Sequence, residues 1–193
     1  IANKSVTLVK NQNNLVPLKP SKLKNITHLI LTTDDDANSF LKILDRDLKR
    51  THRNVKRIFI NEELSQNRIS SIVQDLKSSS VVVVSMLIRI RMDKGESTID
   101  DTHALLLERL KAEDIPTVGI SFGSPYLPSY SSLDAYMCAY GYGSISVKAA
   151  ANALWGRSSI EGKLPVTLNE IYKRGHGVTL KKRKFGFDEN NKE

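Results

Sequence analysis

Residues 80–88 read SVVVVSMLI, and four consecutive β-branched residues, Val81 to Val84, lie at their centre. Neighbouring side chains of a strand point to opposite faces of the sheet, so an unbroken apolar run needs cover on both faces. Helices packed on both sides of a parallel sheet provide that cover. The stretch therefore predicts the central strand of a parallel sheet.

Apolar runs and helical patterns alternate on both sides of this stretch. Apolar residues at helical spacing mark the helices, as at Ile69, Ile72, Val73 and Leu76. The other predicted strands are 25–32, 55–60, 117–122 and 134–140, and the predicted helices are 38–50, 66–77, 100–111 and 144–155. The alternation predicts an α/β fold, a three-layer αβα sandwich. Its sheet is expected to be mainly parallel and doubly wound, with about five or six strands and right-handed crossovers.

Segments at both ends lie outside the alternation. Residues 1–18 are predicted to form a short helix followed by an extended lead-in. Residues 19–168 form the predicted sandwich domain. The chain becomes rich in Gly, Lys and Asn after residue 156, and residues 169–193 are predicted to be a C-terminal extension or a linker.

The composition is that of an ordinary globular domain and argues against several partners. The 193 residues are 40% hydrophobic and 26% charged, and no run approaches the roughly 18 apolar residues that suggest a membrane span. The net charge of +8 is spread along the chain, apart from one basic cluster at 181–184. We therefore expect no nucleic-acid partner. The single cysteine, Cys138, excludes an internal disulfide. As a separate expectation, we favour a periplasmic or secreted location over a cytoplasmic one.

The sequence contains no pattern for a metal or a cofactor. Its histidines, His28, His52, His103 and His176, are isolated from one another and form no H-x-x-x-H pair. No glycine-rich dinucleotide or phosphate loop follows the first predicted strand. We expect neither a metal nor a cofactor.

One motif suggests nucleophilic catalysis. Residues 119–123 read GISFG and match the G-x-S-x-G nucleophile elbow around Ser121, with Asp134 and His176 following in hydrolase order. An elbow must turn directly into a helix, and Pro125 and Pro128 oppose a helix there. The alternative interpretation is a strand end whose small residues permit a tight turn. A serine hydrolase that uses Ser121, Asp134 and His176 remains the second hypothesis.

A charged loop follows the central predicted strand. Its charged members are Arg89, Arg91, Asp93, Lys94 and Glu96. Ligands of open α/β sheets bind at the carboxyl ends of the strands, and paired arginines can hold a carboxylate, a phosphate or sugar hydroxyls. Contact with a ligand and docking on another domain are equally favoured for this loop.

Several short motifs follow one another along the chain. They are ANKSVTLVKN at 2–11, LVPL at 15–18, VGISFGSPYL at 118–127, AAANALWG at 149–156 and GKLPVT at 162–167. In this order, and with the loop that follows residue 88, they resemble the C-terminal α/β domain of family 3 glycoside hydrolases. The resemblance is to the β-N-acetylglucosaminidase-like branch and covers about residues 2–168. Ser124 departs from it, because the family has an asparagine at that position.

The resemblance implies a division of labour between two domains. In the family an upstream barrel carries the nucleophilic Asp, and in this branch it also carries an Asp-His acid/base pair. The other branch takes its acid/base Glu from the second domain, but Glu96 lacks the surrounding pattern and is not expected to be catalytic. We therefore expect no catalytic residue in this chain and no activity of the chain alone.

The expected partners are the barrel of the same polypeptide and a carbohydrate. Terminal β-linked amino-sugar or glucosyl groups are the implied substrates. Candidates for contact with the substrate or the barrel are the charged residues of the loop, together with Ser124 and Tyr126.

Overall fold

A computed structural model describes residues 2–32, 37–88, 100–127 and 129–183. Within these ranges the α-helices are α1 (Ala2–Ser5), α2 (Ala37–Thr51), α3 (Gln66–Leu76), α4 (Asp101–Ala112) and α5 (Ser144–Leu154). The strands are β1 (Thr7–Asn11), β2 (Ile26–Leu31), β3 (Val55–Ile60), β4 (Val81–Ile88), β5 (Thr117–Gly123) and β6 (Ala135–Cys138). Three short 3-10 turns, Gln12–Asn14, Pro20–Lys22 and Tyr130–Ser132, complete the regular structure of the described part.

The strands form one sheet in the order β1-β6-β5-β4-β2-β3. Every pair is parallel except β1 with β6, which is antiparallel. The predicted mainly parallel α/β sheet is confirmed, and β4 lies inside it between β2 and β5. The strand that the sequence pattern did not identify is β1, which we expected to be an extended lead-in.

Two apolar layers fill the spaces between the sheet and its helices. Val81 and Val83 belong to the layer beneath α2 and α5, whereas Val82 and Val84 belong to the layer beneath α3 and α4. The valine run is therefore buried on both faces, as its unbroken apolar character requires. This arrangement confirms the predicted αβα sandwich.

Side-chain caps fix where two of the helices begin. The Ser65 hydroxyl accepts a hydrogen bond from Arg68 N at 3.3 Å at the start of α3. The Asp100 carboxylate accepts one from Thr102 N at 2.8 Å at the start of α4. Such caps satisfy amide groups that have no partner within the helix, so both helices start at the carboxyl edge of the sheet at defined residues.

The chain after α5 returns to the sheet and lies along β1. Val178 N donates to Leu8 O at 2.8 Å, and Ile160 and Leu180 form a second bridge. Gly162 lies against the backbone of Ser5 and Val6, where a Cβ atom would clash. The outer side of β1 is thus covered, which removes part of an exposed sheet edge.

Candidate functional site

The candidate site lies at the carboxyl edge of the sheet, where β2 and β4 end side by side. From β2 the chain crosses to β3 on one side, and from β4 it crosses to β5 on the other. Such a reversal creates the crevice in which ligands of doubly wound sheets bind. The predicted loop residues Arg89, Arg91, Asp93, Lys94 and Glu96 follow β4 and lie outside the described residues.

The turn that follows β5 is tied at three points. The Ser121 hydroxyl donates to Ser124 O, and the Tyr136 hydroxyl donates to Pro125 O at 2.7 Å. Tyr126 N donates to the Ser124 hydroxyl at 3.3 Å. Ser124 is buried and Leu127 packs into the core. The turn therefore holds its backbone in one shape at the edge of the sheet.

This fixed turn presents one aromatic ring to solvent. Tyr126 is 41% exposed, although both of its neighbours, Pro125 through its carbonyl and Leu127 through its side chain, are held by the core. A second aromatic feature lies at the same edge, where Tyr142 packs on Phe40 with ring centroids 5.2 Å apart. Exposed, positioned aromatic rings suit contact with the apolar face of a sugar or with another protein surface.

The polar groups beneath the turn are not nucleophiles. Burial raises the pKa of the Cys138 thiol to about 12, and burial likewise raises the pKa of Tyr136 well above its ordinary value. Both groups are therefore protonated at neutral pH. A buried, protonated thiol is chemically inert, so this part of the site supplies shape rather than covalent chemistry.

The predicted Ser121, Asp134 and His176 triad does not assemble. Ser121 lies in the fully buried part of β5 and donates to Ser124 O. The Asp134 carboxylate, one residue before β6, binds Lys111 Nζ at 2.6 Å and accepts from Thr117 N at 2.9 Å. His176, the third member of the predicted triad, lies against a different partner, with its Nε2 2.8 Å from Val9 O. The serine-hydrolase hypothesis has no support in these contacts.

The GISFG motif has a structural explanation instead. A Cβ atom on Gly119 would collide with the end of the Leu133 side chain, so the packing at this position favours a glycine. Gly123 has a φ of 123°, a conformation that favours glycine. Ser121 ties the turn to the strand. The motif therefore specifies a strand end, which is the alternative interpretation drawn from the sequence.

A different serine, histidine and aspartate do form a hydrogen-bonded chain. His28 Nδ1 lies 2.8 Å from Asp45 Oδ1, and His28 Nε2 lies 2.8 Å from the Ser85 hydroxyl. An ionised carboxylate only accepts, so Nδ1 carries the proton and Nε2 accepts from Ser85. Arg57 Nε completes the group 3.0 Å from Asp45 Oδ2.

This chain of side chains is internal to the fold. His28 and Ser85 are fully buried on β2 and β4, and Asp45 covers them from α2. A nucleophile needs access to its substrate, so the group holds α2 on the sheet and performs no chemistry on a ligand. Sequence reasoning did not find it, because its members come from separate elements and share no local motif.

The other histidines also have structural partners. Each uses Nε2 at 2.8–3.0 Å from a backbone carbonyl, namely Leu23 for His52, Glu62 for His103 and Val9 for His176. In the described ranges no three His, Cys, Asp or Glu side chains gather as metal ligands would. Within the same ranges, no helix combines the length and the apolar character of a membrane span.

Comparison with known proteins identifies a family over nearly the whole chain. The sequence profile of the glycosyl hydrolase family 3 C-terminal domain matches residues 6–190. Among curated proteins no sequence matches the chain significantly.

Three solved structures show the same fold at low sequence identity. A β-glucosidase from Listeria innocua in complex with isofagomine is 15% identical with a TM-score of 0.69, covering 92% of this chain and 32% of its own. A fungal multi-domain β-N-acetylglucosaminidase is 18% identical with a TM-score of 0.64, and the match covers 84% of this chain and 17% of that protein. The β-glucoside phosphorylase BglX is 22% identical with a TM-score of 0.62, and the match covers 86% of this chain and 30% of that protein.

The chain thus spans about a third or less of the length of these structures. Its six-stranded sheet and the profile match over nearly the whole chain agree with the resemblance drawn from the motifs. The chain belongs to glycosyl hydrolase family 3, as the C-terminal domain of that family.

Proposed function

We propose that this domain packs on a catalytic barrel through the carboxyl edge of its sheet and borders the sugar-binding cleft without supplying the nucleophile. The observation that carries the proposal is the tied turn after β5, which presents the Tyr126 ring at that edge. A ring that is exposed but held by a fixed backbone needs no ordering when it meets a sugar or a partner surface.

The chemistry of glycoside hydrolysis supports a role outside the reacting centre. Retaining enzymes need two carboxyl groups about 5 Å apart, one on each side of the scissile bond. At the carboxyl edge the Asp100 carboxylate already caps α4, where its hydrogen bonds with Thr102 outweigh the effect of burial and lower its pKa. Following the family resemblance, the proposal places the reacting carboxylates in another domain of the intact enzyme.

The proposed substrates are terminal β-linked amino sugars or glucosides. The motifs at 118–127 and 149–167 favour the β-N-acetylglucosaminidase-like branch. The structural neighbours include proteins described as a β-glucosidase, a β-N-acetylglucosaminidase and a β-glucoside phosphorylase. A β-linked glucose-type ring is common to these names, and the proposal rests on that shared feature.

The first test compares the chain with the intact enzyme. The chain alone is expected to show no turnover of aryl β-N-acetylglucosaminides or aryl β-glucosides, whereas the enzyme that contains it should cleave at least one of them. Release of the aryl group is measured at equal molar concentrations, with circular dichroism confirming that the chain is folded. Turnover by the folded chain alone would contradict the proposed division of labour.

The second test concerns Tyr126. In the intact enzyme Tyr126→Ala should raise KM about fivefold or more, because an aromatic contact is worth about 1 kcal/mol. Tyr126→Phe keeps the ring and should stay within about twofold of the wild type. Steady-state kinetics on both variants give the comparison.

The matched control is Ile171→Ala, since Ile171 is another large exposed side chain, with 75% of its surface accessible. It should leave KM unchanged. The proposed role of Tyr126 is wrong if Tyr126→Ala and Ile171→Ala give the same kinetics.

A further inference from the structure

A basic groove lies between α2 and α5, away from the carboxyl edge. Its volume is about 520 Å³. Ile43 and Ala151 are its apolar lining residues, and the other lining residues are polar or charged. The polar lining residues that bear on the argument are Arg46 and Arg50 of α2, and Lys148 and Asn152 of α5. Volumes of this size accommodate small ligands.

The one acidic side chain in the groove is already neutralised. Asp47 Oδ2 binds Arg157 Nη1 at 2.7 Å, and Asp47 Oδ1 accepts from Trp155 Nε1 at 2.9 Å. Arg46, Arg50 and Lys148 have no carboxylate within 4.0 Å in the part of the chain that the structure describes. Three positive charges therefore remain uncompensated around one concave surface.

The spacing of these residues brings the charges together. Arg46 and Arg50 are four residues apart and share one face of α2, and Lys148 and Asn152 do the same on α5. Like charges at this spacing destabilise a helix slightly, so the pair on α2 is not explained by helix stability. Arg50 lies in the last turn, where a cation complements the helix dipole. That reason does not extend to Arg46 or Lys148, which lie further inside their helices.

We propose that the groove between α2 and α5 binds a small phosphate-bearing anion. Phosphate groups carry close to two charges, and the planar forks of Arg46 and Arg50 suit two of their oxygens at once. Lys148 supplies a third charge from the facing helix, and the Asn152 amide can donate to a further oxygen. Ile43 and Ala151 accept an apolar part of the ligand. The ligand is either an inorganic polyphosphate or the phosphate ester of a small molecule.

The test is calorimetric titration of the intact protein with inorganic pyrophosphate and, separately, with glucose 1-phosphate, at constant ionic strength. We expect saturable binding of at least one of them. The probe that binds more tightly shows whether the groove favours an inorganic polyphosphate or the phosphate ester of a small molecule. The double variant Arg46→Gln/Arg50→Gln should weaken binding at least about tenfold, since charge-assisted hydrogen bonds are lost. Lys148→Gln, on the other helix, should weaken it about threefold or more.

A double variant with equal loss of charge serves as the control. Lys22→Gln/Arg53→Gln removes two exposed cations outside the groove and should change affinity by less than about twofold. Equal weakening in both double variants would show only a general charge effect and would overturn the proposal. Absence of saturable binding by both phosphate probes would overturn it too. The same holds if a single-stranded oligonucleotide, titrated in the same way, binds whereas neither phosphate probe does.

Thermal melting of each variant shows that it is folded before titration. These residues are on the surface, so the melting temperatures are expected to stay close to that of the wild type. The measurement is independent of glycosidase activity. A failure here would therefore leave the proposed role of the carboxyl edge untouched.

Discussion

Asp45→Ala is expected to lower the free energy of unfolding by about 3–5 kcal/mol, the cost of removing one partner from a buried ion pair. The Asp45 carboxylate accepts a hydrogen bond from His28 Nδ1 at 2.8 Å and contacts Arg57 Nε at 3.0 Å, and its side chain is only 10% exposed. The variant leaves His28 buried without its acceptor and Arg57 without its anion. Urea unfolding followed by circular dichroism measures the loss.

The same pair makes the fold sensitive to acid. Burial lowers the pKa of His28 below its ordinary value of 6.5, although the hydrogen bond with Asp45 acts in the opposite direction. The unfolded chain therefore takes up this proton more readily than the folded one. The contribution of His28 is present above pH 6.5 and is lost as the pH falls through the lower pKa of the folded state.

Asp45 adds to this loss at lower pH. Burial alone would raise the pKa of its carboxyl group, but the hydrogen bond with His28 and the charges of Arg57 and Lys49 lower the pKa below 3.8. Its contribution is present above pH 3.8 and is lost as the pH falls through the lower folded pKa. Wild-type stability should therefore fall between pH 7 and pH 4 through His28, and fall again below pH 3.8 through Asp45. Asp45→Ala should lack the second fall and keep the first, because the burial that lowers the pKa of His28 remains while the hydrogen bond that opposes it is gone.

Asp75→Ala is the matched control for the carboxylate. Asp75 faces Lys56 at 3.6 Å with both side chains more than half exposed, so its loss should cost less than about 1 kcal/mol. Equal costs for Asp45→Ala and Asp75→Ala, with parallel pH profiles, would contradict the role assigned to the buried group.

The sequence alone predicted the sandwich because each element carries its own periodic signal. The bounds of β3 match the prediction, α2 is one residue longer than predicted at each end, and α5 ends one residue earlier than predicted. The valine run at Val81 to Val84 predicted that the sheet is parallel and that the strand containing the run is a central strand of it. Local patterns suffice for such elements, since burial on one or two faces selects the side chains directly.

The prediction missed features that depend on distant partners. β1 is five residues long, and its partner strand β6 begins more than a hundred residues later. The GISFG motif suggested a nucleophile because its glycines match an elbow, yet Gly119 is favoured by its close contact with the Leu133 side chain. The group of Ser85, His28 and Asp45 was likewise invisible, because the sheet order that joins its members cannot be read from any one segment.

Trp155→Ala is expected to be as destabilising as the loss of Asp45, at about 3–5 kcal/mol. Trp155 is the only tryptophan of the chain and is almost completely buried in the layer that joins α2, α5 and the sheet. The variant leaves a large cavity and also deprives Asp47 Oδ1 of the indole N–H, 2.9 Å away. Urea unfolding must be followed by circular dichroism, because the variant has no tryptophan fluorescence.

Two further variants separate burial from the hydrogen bond. Trp155→Phe retains most of the apolar volume but lacks the N–H, so it should cost well under half as much as Trp155→Ala if burial dominates. Tyr142→Ala removes a large ring that is 38% exposed and should cost about 1 kcal/mol or less. Equal losses for the Phe and Ala variants would assign the effect to the bond with Asp47. A loss in Trp155→Ala no larger than that in Tyr142→Ala would mean that α2 and α5 are held on the sheet by other contacts.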